Sequence, residues 1–195
     1  LLFLHNGTSV HYDALLLANG ARARTLECPG LNLAGVSTLR TVADYQEILH
    51  RLENVERVVV CGSGTLALES AETLRHRGYQ VTHLLRGQTF WSEVLDPVAS
   101  EMVLQEEQRD GIEVRCREEI AEILGKDGQV CGVVTTRGER LSCQMVLIAI
   151  GVEPLIDFLR TSGVACGRGV NVDGAMRTNV PDIYAAGDVV ETVEK

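Results

Sequence analysis

Short apolar runs alternate with amphipathic stretches along most of the 195 residues of this chain. Continuous apolar runs are typical of strands covered on both faces, whereas apolar residues spaced by three or four positions predict helices with one buried face. The predicted order is a helix at 42–53, a strand at 57–61, a helix at 65–77, a strand at 79–85, a helix at 97–110, and strands at 112–115 and 145–150. This order predicts an α/β fold with a doubly wound, Rossmann-like parallel sheet.

Residues at the helix ends support these boundaries. Thr41 precedes the first helix, and Asp44 occupies the acidic position of a capping box. Asp96 is a favourable N-cap, and Pro97 suits the first helical position after it. Gly78 is placed to end the second helix.

Other stretches predict short or antiparallel strands. Near the start, the runs at 1–4 and 8–12 flank the loop His5-Asn6-Gly7, and an Asn-Gly pair tolerates the positive φ angles of a type I′ hairpin turn. A continuous apolar run at 14–18 predicts a further strand. Between 119 and 142, short strands separated by two glycine-containing turns predict a small antiparallel meander.

Composition and charge exclude several classes of protein. Apolar residues make up 45% of the chain, which is enough for a sizeable core and argues against general disorder. The net charge of −9 gives a surface that repels phosphate backbones, so we expect no nucleic-acid partner. The most apolar stretch, at 145–152, is far shorter than the roughly 20 residues of a membrane-spanning helix.

The cysteines and two acidic pairs have plain structural interpretations. The six cysteines lack the paired spacing of a zinc site, so we expect no metal and a reduced, cytoplasmic protein. Cys61 and Cys143 lie in or beside predicted strands and are expected to be small core residues. No cysteine or histidine is assigned a catalytic role. The acidic pairs at 106–107 and 118–119 are interpreted as solvent-facing.

A glycine-rich turn between the strand at 57–61 and the following helix has the spacing of a dinucleotide-binding fingerprint. Gly62 permits the tight turn, Gly64 lets a pyrophosphate approach the backbone, and small Ala67 lets the helix lie against the strand. The amide groups at the helix N-terminus would then face the anion. The alternative is a glycine-rich turn between core elements. The candidate cofactor-binding residues here are Gly62, Ser63, Gly64, Thr65, Leu66 and Ala67.

The end of the second strand bears on the choice of nicotinamide coenzyme. An acid there would accept hydrogen bonds from the ribose hydroxyls of NAD, but no Asp or Glu occurs between Glu72 and Glu93. Leu85 occupies the expected position of that acid, and Arg86 follows with a planar guanidinium suited to a 2′-phosphate. The pattern favours NADP(H) over NAD(H). The alternative is that Arg86 is an ordinary solvated cation.

Several segments of the chain resemble the pyridine nucleotide-disulfide oxidoreductase family of flavoproteins. The likeness is greatest to its branch of NAD(P)H oxidases, coenzyme A disulfide reductases, rubredoxin reductases and nitrite reductases. Asn19 and Leu155 stand where the family has Thr and Asn. The matching segments are YDALLLANGA at 12–21, LRTVAD at 39–44, AIGVEP at 149–154, VD at 172–173 and MRTNVPDIYAAGD at 176–188.

This resemblance implies a FAD-dependent NAD(P)H oxidoreductase, in which a hydride passes from NAD(P)H to FAD and its electrons pass on to an acceptor. It implies a catalytic role for Glu69 beside the nicotinamide, paired with a lysine near the flavin. Gly151 is implied near the same ring, and Gly187 and Asp188 are implied in flavin contact. A small electron-carrier protein or a small molecule is the implied acceptor. Whether the protein forms a homodimer stays open.

The resemblance also bears on the coenzyme. Ala67 and the Leu85-Arg86 pair match family members that use NADPH. Ser92 stands near the place of their second arginine, and Thr65 stands where many members have an aromatic residue.

The resemblance further implies how the chain is organised. Residues 1–38 correspond to part of a FAD domain, 39–150 to the NAD(P)-binding domain and 151–195 to the C-terminal part of the FAD domain. The first flavin-binding segment is expected before Leu1, so the chain is expected to be an inactive fragment. A non-catalytic nucleotide-binding or redox-sensing module is one alternative. A flavin-free NAD-dependent dehydrogenase is another, but it leaves the segment at 187–188 without a role.

Overall fold

The computed structural model describes residues 1–92 and 94–192. Residues 93 and 193–195 lie outside the described residues; they are the glutamate that follows the window without acids and the end of the predicted C-terminal segment. The helices are α1 (Val42–Leu52), α2 (Thr65–His76) and α3 (Pro97–Arg109), with a 3-10 turn at Asp157–Leu159. The strands are β1 (Leu2–Phe3), β2 (Ser9–Val10), β3 (Leu15–Leu17), β4 (Ala21–Ala23), β5 (Val36–Thr38), β6 (Arg57–Cys61), β7 (Gln80–Leu85), β8 (Glu113–Cys116), β9 (Ile120–Lys126), β10 (Gln129–Thr135), β11 (Arg140–Leu141), β12 (Met145–Ile148), β13 (Val152–Pro154), β14 (Val170–Val172), β15 (Ile183–Ala185) and β16 (Val190–Thr192).

A five-stranded parallel sheet in the order β5-β12-β6-β7-β8 confirms the predicted α/β fold. The chain returns to it after each crossover, through α2 between β6 and β7 and through α3 between β7 and β8. Alternate residues of β6 point to opposite faces of the parallel sheet. Val58 and Val60 pack in a core with α1 and α2, whereas Val59 and Cys61 pack in a second core with the meander strands.

The antiparallel meander predicted between residues 119 and 142 is also confirmed. Strands β9, β10 and β11 form a three-stranded antiparallel sheet in the order β11-β10-β9. Ile123, Val130 and Val133 from this sheet pack against Val59 and Val146 of the parallel sheet. The meander therefore covers one face of the parallel sheet where a helix would otherwise be needed.

The described chain divides into two units. Ala23–Gly151 contains the parallel sheet, the meander and all three helices. The amide of Arg24 donates to the carbonyl of Gly151 at 3.0 Å, so the two ends of this unit lie together. The other unit combines Leu1–Arg22 with the described part of Val152–Lys195. It contains the strand pairs β1–β2, β3–β15 and β14–β16 around its own apolar core.

The predicted helix caps are present. The Thr41 side chain accepts from the Asp44 amide at 3.1 Å, and the Asp44 carboxylate accepts from the Thr41 amide at 2.7 Å. These backbone hydrogen bonds to the carboxylate, first from Thr41, lower the pKa of Asp44. Asp96 accepts from the Ala99 amide at 2.8 Å, with Pro97 as the first helical residue. The helices end one residue before the predicted ends, because the last predicted residues are their C-caps.

The type I′ turn predicted for the first hairpin is wrong. That turn requires positive φ at both central residues, but only Gly7, with φ of 84°, has a positive φ in this loop. The Leu4 amide donates to the Thr8 carbonyl at 2.8 Å, and the Gly7 amide donates to the Leu4 carbonyl at 3.0 Å. Asn6 instead accepts from the Thr8 amide at 3.0 Å through its side chain. The loop itself comprises His5, Asn6 and Gly7, as predicted, and the antiparallel pairing of β1 with β2 confirms the hairpin.

Several other strands are shorter than their apolar runs or were not predicted. The run at 145–150 is a strand only over Met145–Ile148, and the run at 14–18 only over Leu15–Leu17. The strands that were not predicted each contain three residues, too few to carry a pattern: β4, β5, β13, β14, β15 and β16. No helix among the described residues is both long and apolar enough to cross a bilayer.

Candidate dinucleotide site

The turn after β6 accepts only glycine at its first position. Gly62 has φ of 141°, and a Cβ atom there would lie 2.1 Å from the carbonyl oxygen of Ala149 and 3.1 Å from the Cβ of Ala67. Ala67 is itself fully buried. The small side chain of Ala67 and the missing side chain of Gly62 thus allow α2 to start directly at the end of the strand.

The N-terminus of α2 is open toward solvent. Gly64 is the N-cap residue, and no side chain caps the helix. The first helical hydrogen bond runs from the Leu68 amide to the Gly64 carbonyl at 3.2 Å. Within the described part of the chain, the amides of the three residues between them find no acceptor. A Cβ at Gly64 would meet no atom within 4 Å. Free amides at a helix N-terminus with open space before them form a site for an anion.

The end of the neighbouring strand β7 presents a cation beside this turn. The Gly62 amide donates to the Leu84 carbonyl at 3.2 Å, which ties the two strand ends together. Leu85 is fully buried, whereas Arg86 is exposed. Among the residues that the structure describes, Arg86 has no hydrogen bond or ion pair. The structure therefore brings the fingerprint turn, Leu85 and Arg86 to one edge of the sheet.

A buried histidine contacts the backbone of the fingerprint turn. His83 is 0% exposed, and its Nε2 lies 2.9 Å from the carbonyl oxygen of Gly62. Its Nδ1 lies 2.8 Å from Oε2 of Glu107 on α3, and its ring packs edge-on against Phe90 at 5.1 Å between centroids. The carbonyl can only accept, so Nε2 carries a proton, and a second proton lies between Nδ1 and the carboxyl group. This pair links the fingerprint turn to α3.

The solvent-facing interpretation of Glu107 is therefore wrong, since this residue is only 4% exposed. It is also wrong for Glu118, which is 2% exposed. The guanidinium of Arg115 lies 3.6 Å from one Glu118 oxygen, and that of Arg137 lies 4.0 Å from the other. Neither acid could be distinguished from a surface residue by sequence, because the partners come from other elements.

The remaining candidate residues lie elsewhere. Glu69 is exposed on α2 at a groove of about 250 Å³ between α1 and α2, and no lysine contacts it in the described part of the chain. Gly151, with φ of 100°, ends the larger unit. Gly187, with φ of 79°, and Asp188 belong to the other unit. Their predicted roles toward nicotinamide and flavin stay predictions.

The two cysteines expected in the core are buried. Cys61 is 5% exposed and Cys143 is 0% exposed. Burial raises the pKa of the Cys143 thiol to about 12, and it also raises the pKa of Cys61. Such thiols are poor nucleophiles at neutral pH. No cluster of histidine, cysteine and acidic side chains able to hold a metal occurs among the described residues.

Comparisons with known proteins agree with this geometry. The family model described as "Pyridine nucleotide-disulphide oxidoreductase" matches residues 3–195. The ferredoxin–NAD(+) reductase component of the biphenyl dioxygenase system of Paraburkholderia xenovorans is 38% identical over 184 residues, which cover 94% of this chain and 45% of that protein. The rubredoxin–NAD(+) reductase of Pseudomonas putida is 31% identical over 94% of this chain and 48% of its own length.

Solved structures give the same result. The ferredoxin reductase for the CYP199A2 system of Rhodopseudomonas palustris superposes with a TM-score of 0.92 at 31% identity, over 97% of this chain and 47% of that chain. The reductase in the covalent putidaredoxin reductase–putidaredoxin complex superposes with a TM-score of 0.93 at 26% identity, over 99% of this chain and 48% of that chain. This chain thus spans about half the length of the relatives it matches.

Proposed function

This chain belongs to the pyridine nucleotide-disulphide oxidoreductase family, and from that membership we propose that it is the dinucleotide-binding part of a FAD-dependent NAD(P)H oxidoreductase. The observation that carries the proposal is the turn after β6. Gly62 fits only without a side chain, Gly64 leaves open space, and the first amides of α2 have no acceptor among the described residues. This arrangement fits the pyrophosphate of a dinucleotide.

The chain's own residues would bind and orient the cofactors. When bound, the nicotinamide supplies a hydride and the flavin accepts it. In the proposed arrangement, the amides after Gly64 hold the pyrophosphate, and Gly151 and Glu69 lie toward the nicotinamide. Gly187 and Asp188 hold the flavin. The protein thus contributes placement and electrostatics rather than chemistry of its own.

The proposal assigns Ala23–Gly151 to the dinucleotide and the other unit to the flavin. The predicted segments 1–38, 39–150 and 151–195 remain part of it. A cytoplasmic location also belongs to the proposal, because all six cysteines are free and free thiols are typical of reducing compartments. The proposed acceptor is a small electron-carrier protein, since relatives are named as ferredoxin and rubredoxin reductases.

Calorimetric titration of the 195-residue chain with NADPH and NADH tests the proposal. We expect one dinucleotide site per chain. Diaphorase activity, measured with ferricyanide and added FAD, then separates an enzyme from a nucleotide sensor. Activity in a form extended beyond Leu1 toward the length of the curated relatives supports the oxidoreductase. Binding without turnover in either form supports a sensor, and the absence of dinucleotide binding contradicts both.

The proposal includes a preference for NADP(H), carried by exposed Arg86 and by buried Leu85 in the place of an acid. Relatives are named for NAD(+) and, in one case, for NAD(P)(+), so the preference is tested directly. We expect Arg86→Ala to weaken NADPH binding by about tenfold to a hundredfold, because a charge-assisted phosphate contact is lost. NADH binding should stay within about twofold, since the contact involves no other group.

Arg86→Lys is the matched control. It keeps the charge but loses the planar fork, so its NADPH affinity should fall between those of the wild type and Arg86→Ala. Unchanged NADPH affinity in Arg86→Ala would show that Arg86 is a solvated surface cation.

A further inference from the structure

The chain that follows β8 runs along the end of β7, beside Arg86. The amide of Arg117 donates to the carbonyl of Gly87 at 2.8 Å, and the amide of Glu118 donates to the carbonyl of Leu85 at 2.9 Å. These two carbonyls belong to the residues on either side of Arg86. The backbone of Arg117 is thus fixed next to Arg86, although 31 positions separate Arg117 from Arg86 in the sequence.

Arg117 adopts a backbone conformation that arginine rarely occupies. Its φ is 55°, in the left-handed region, which costs a side-chain-bearing residue about 1 kcal/mol relative to glycine. Its guanidinium donates to Oε1 of Gln88, two residues after Arg86, and it is exposed. Glycine would fit this backbone with less strain, so the fold does not require an arginine at this position.

The charges at this strand end leave both arginines available to an anion. Arg86 and Arg117 form no ion pair with any residue the structure describes. The buried acid next in sequence, Glu118, lies between Arg115 and Arg137. On a chain with a net charge of −9, two guanidinium groups that lack an ion pair among the described residues, on adjacent backbone segments, give this strand end local positive charge.

We propose that Arg117 is the second cation, beside Arg86, of a site for the 2′-phosphate of NADP(H). The inference rests on the proposed function, because the fingerprint turn must first place the dinucleotide along this edge. The adenosine ribose of a dinucleotide is expected at the end of the second strand, which is the end that Arg117 borders. A phosphate with about two negative charges suits two planar guanidinium groups better than one.

The site makes a clear distinction between the two coenzymes. For NAD(H), an acid would have to accept from the ribose hydroxyls, and Glu118 is the acid whose backbone amide donates to the Leu85 carbonyl. Glu118 is 2% exposed and lies between two arginines, so it is not presented to a ligand. The exposed side chains of Arg86 and Arg117 at this strand end are hydrogen-bond donors.

Calorimetric titration of the 195-residue chain tests the proposal, with NADPH, NADH, adenosine 2′,5′-bisphosphate and AMP as the probes. We expect Arg117→Ala to weaken NADPH and the bisphosphate by about tenfold or more, while NADH and AMP change by less than about twofold. Arg117→Lys should lose less affinity for NADPH and the bisphosphate than Arg117→Ala. Arg140→Ala, which removes an exposed arginine of β11, should leave all four affinities unchanged.

Arg117→Gly separates binding from folding. It relieves the positive φ, so urea unfolding should show equal or greater stability together with the same loss of NADPH affinity. A wild-type chain that prefers NADPH, loses the preference in Arg86→Ala and keeps it in Arg117→Ala overturns this inference and leaves the proposed function standing. A wild-type chain that prefers NADH also overturns it. A chain that binds no dinucleotide contradicts the proposed function itself.

Discussion

Replacing Gly62 with alanine is expected to lower the free energy of unfolding by about 3 kcal/mol or more and to abolish dinucleotide binding. The new Cβ would lie 2.1 Å from the carbonyl oxygen of Ala149 and would meet the Cβ of Ala67 at 3.1 Å. The backbone at φ of 141° is also one that residues with a side chain rarely adopt. Strained backbone and overpacking each cost about 1–3 kcal/mol, and here they act together on β12 and α2.

Gly64→Ala is the matched control, two positions away in the same turn. Gly64 has φ of −91°, and a Cβ there would meet no atom within 4 Å. Gly64→Ala should therefore change the free energy of unfolding by less than about 1 kcal/mol. The added methyl group should intrude on the space proposed for the pyrophosphate and weaken NADPH binding. Urea unfolding followed by circular dichroism and calorimetric titration measure the two effects. Equal stability losses in the two variants would contradict the geometry described for the turn.

Removing the buried carboxyl group of Glu107 is expected to destabilise the protein by about 3–5 kcal/mol, the usual cost of leaving one member of a buried pair without its partner. In Glu107→Ala, Nδ1 of His83 loses its partner at 2.8 Å, and His83 itself is 0% exposed. Because Nε2 of the same ring contacts the Gly62 carbonyl at 2.9 Å, the loss should also loosen the fingerprint turn and weaken dinucleotide binding.

Glu107→Gln should cost much less, below about 1.5 kcal/mol. A neutral His83 can keep its Nε2 proton on the Gly62 carbonyl while Nδ1 accepts from the glutamine amide. Urea unfolding at neutral pH compares the two variants. A Glu107→Gln variant as unstable as Glu107→Ala would mean that the pair depends on charge rather than on hydrogen bonding. An Ala variant as stable as the wild type would contradict the buried pair altogether.

The parts of the structure that could be predicted from sequence depend on local signals. The capping box at Thr41, Pro97 at the start of α3 and the glycines of the fingerprint turn each specify their own backbone within a few residues. The order of long strands and helices then restricts the topology to a doubly wound sheet. The fold of the larger unit and the location of the candidate site follow from these signals.

The parts that could not be predicted depend on partners that are distant in sequence. By sequence, Glu107 resembles a surface residue of an amphipathic helix. Only the structure places its carboxyl group against the His83 ring. Glu118 and Arg117 gain their positions only when the chain after β8 pairs with the end of β7. The hairpin at Asn6 differed because a side-chain hydrogen bond to Thr8 competes with the backbone turn that the Asn-Gly pair otherwise favours.

The hydrogen bond that joins the Arg24 amide to the Gly151 carbonyl has an evolutionary consequence. It closes the segment Ala23–Gly151 on itself, so the polypeptide enters and leaves this module at one point. Segments with adjacent ends can be inserted into a host or exchanged between hosts without reordering the rest. The architecture is therefore suited to recombination as a cassette that carries the proposed dinucleotide site inside it.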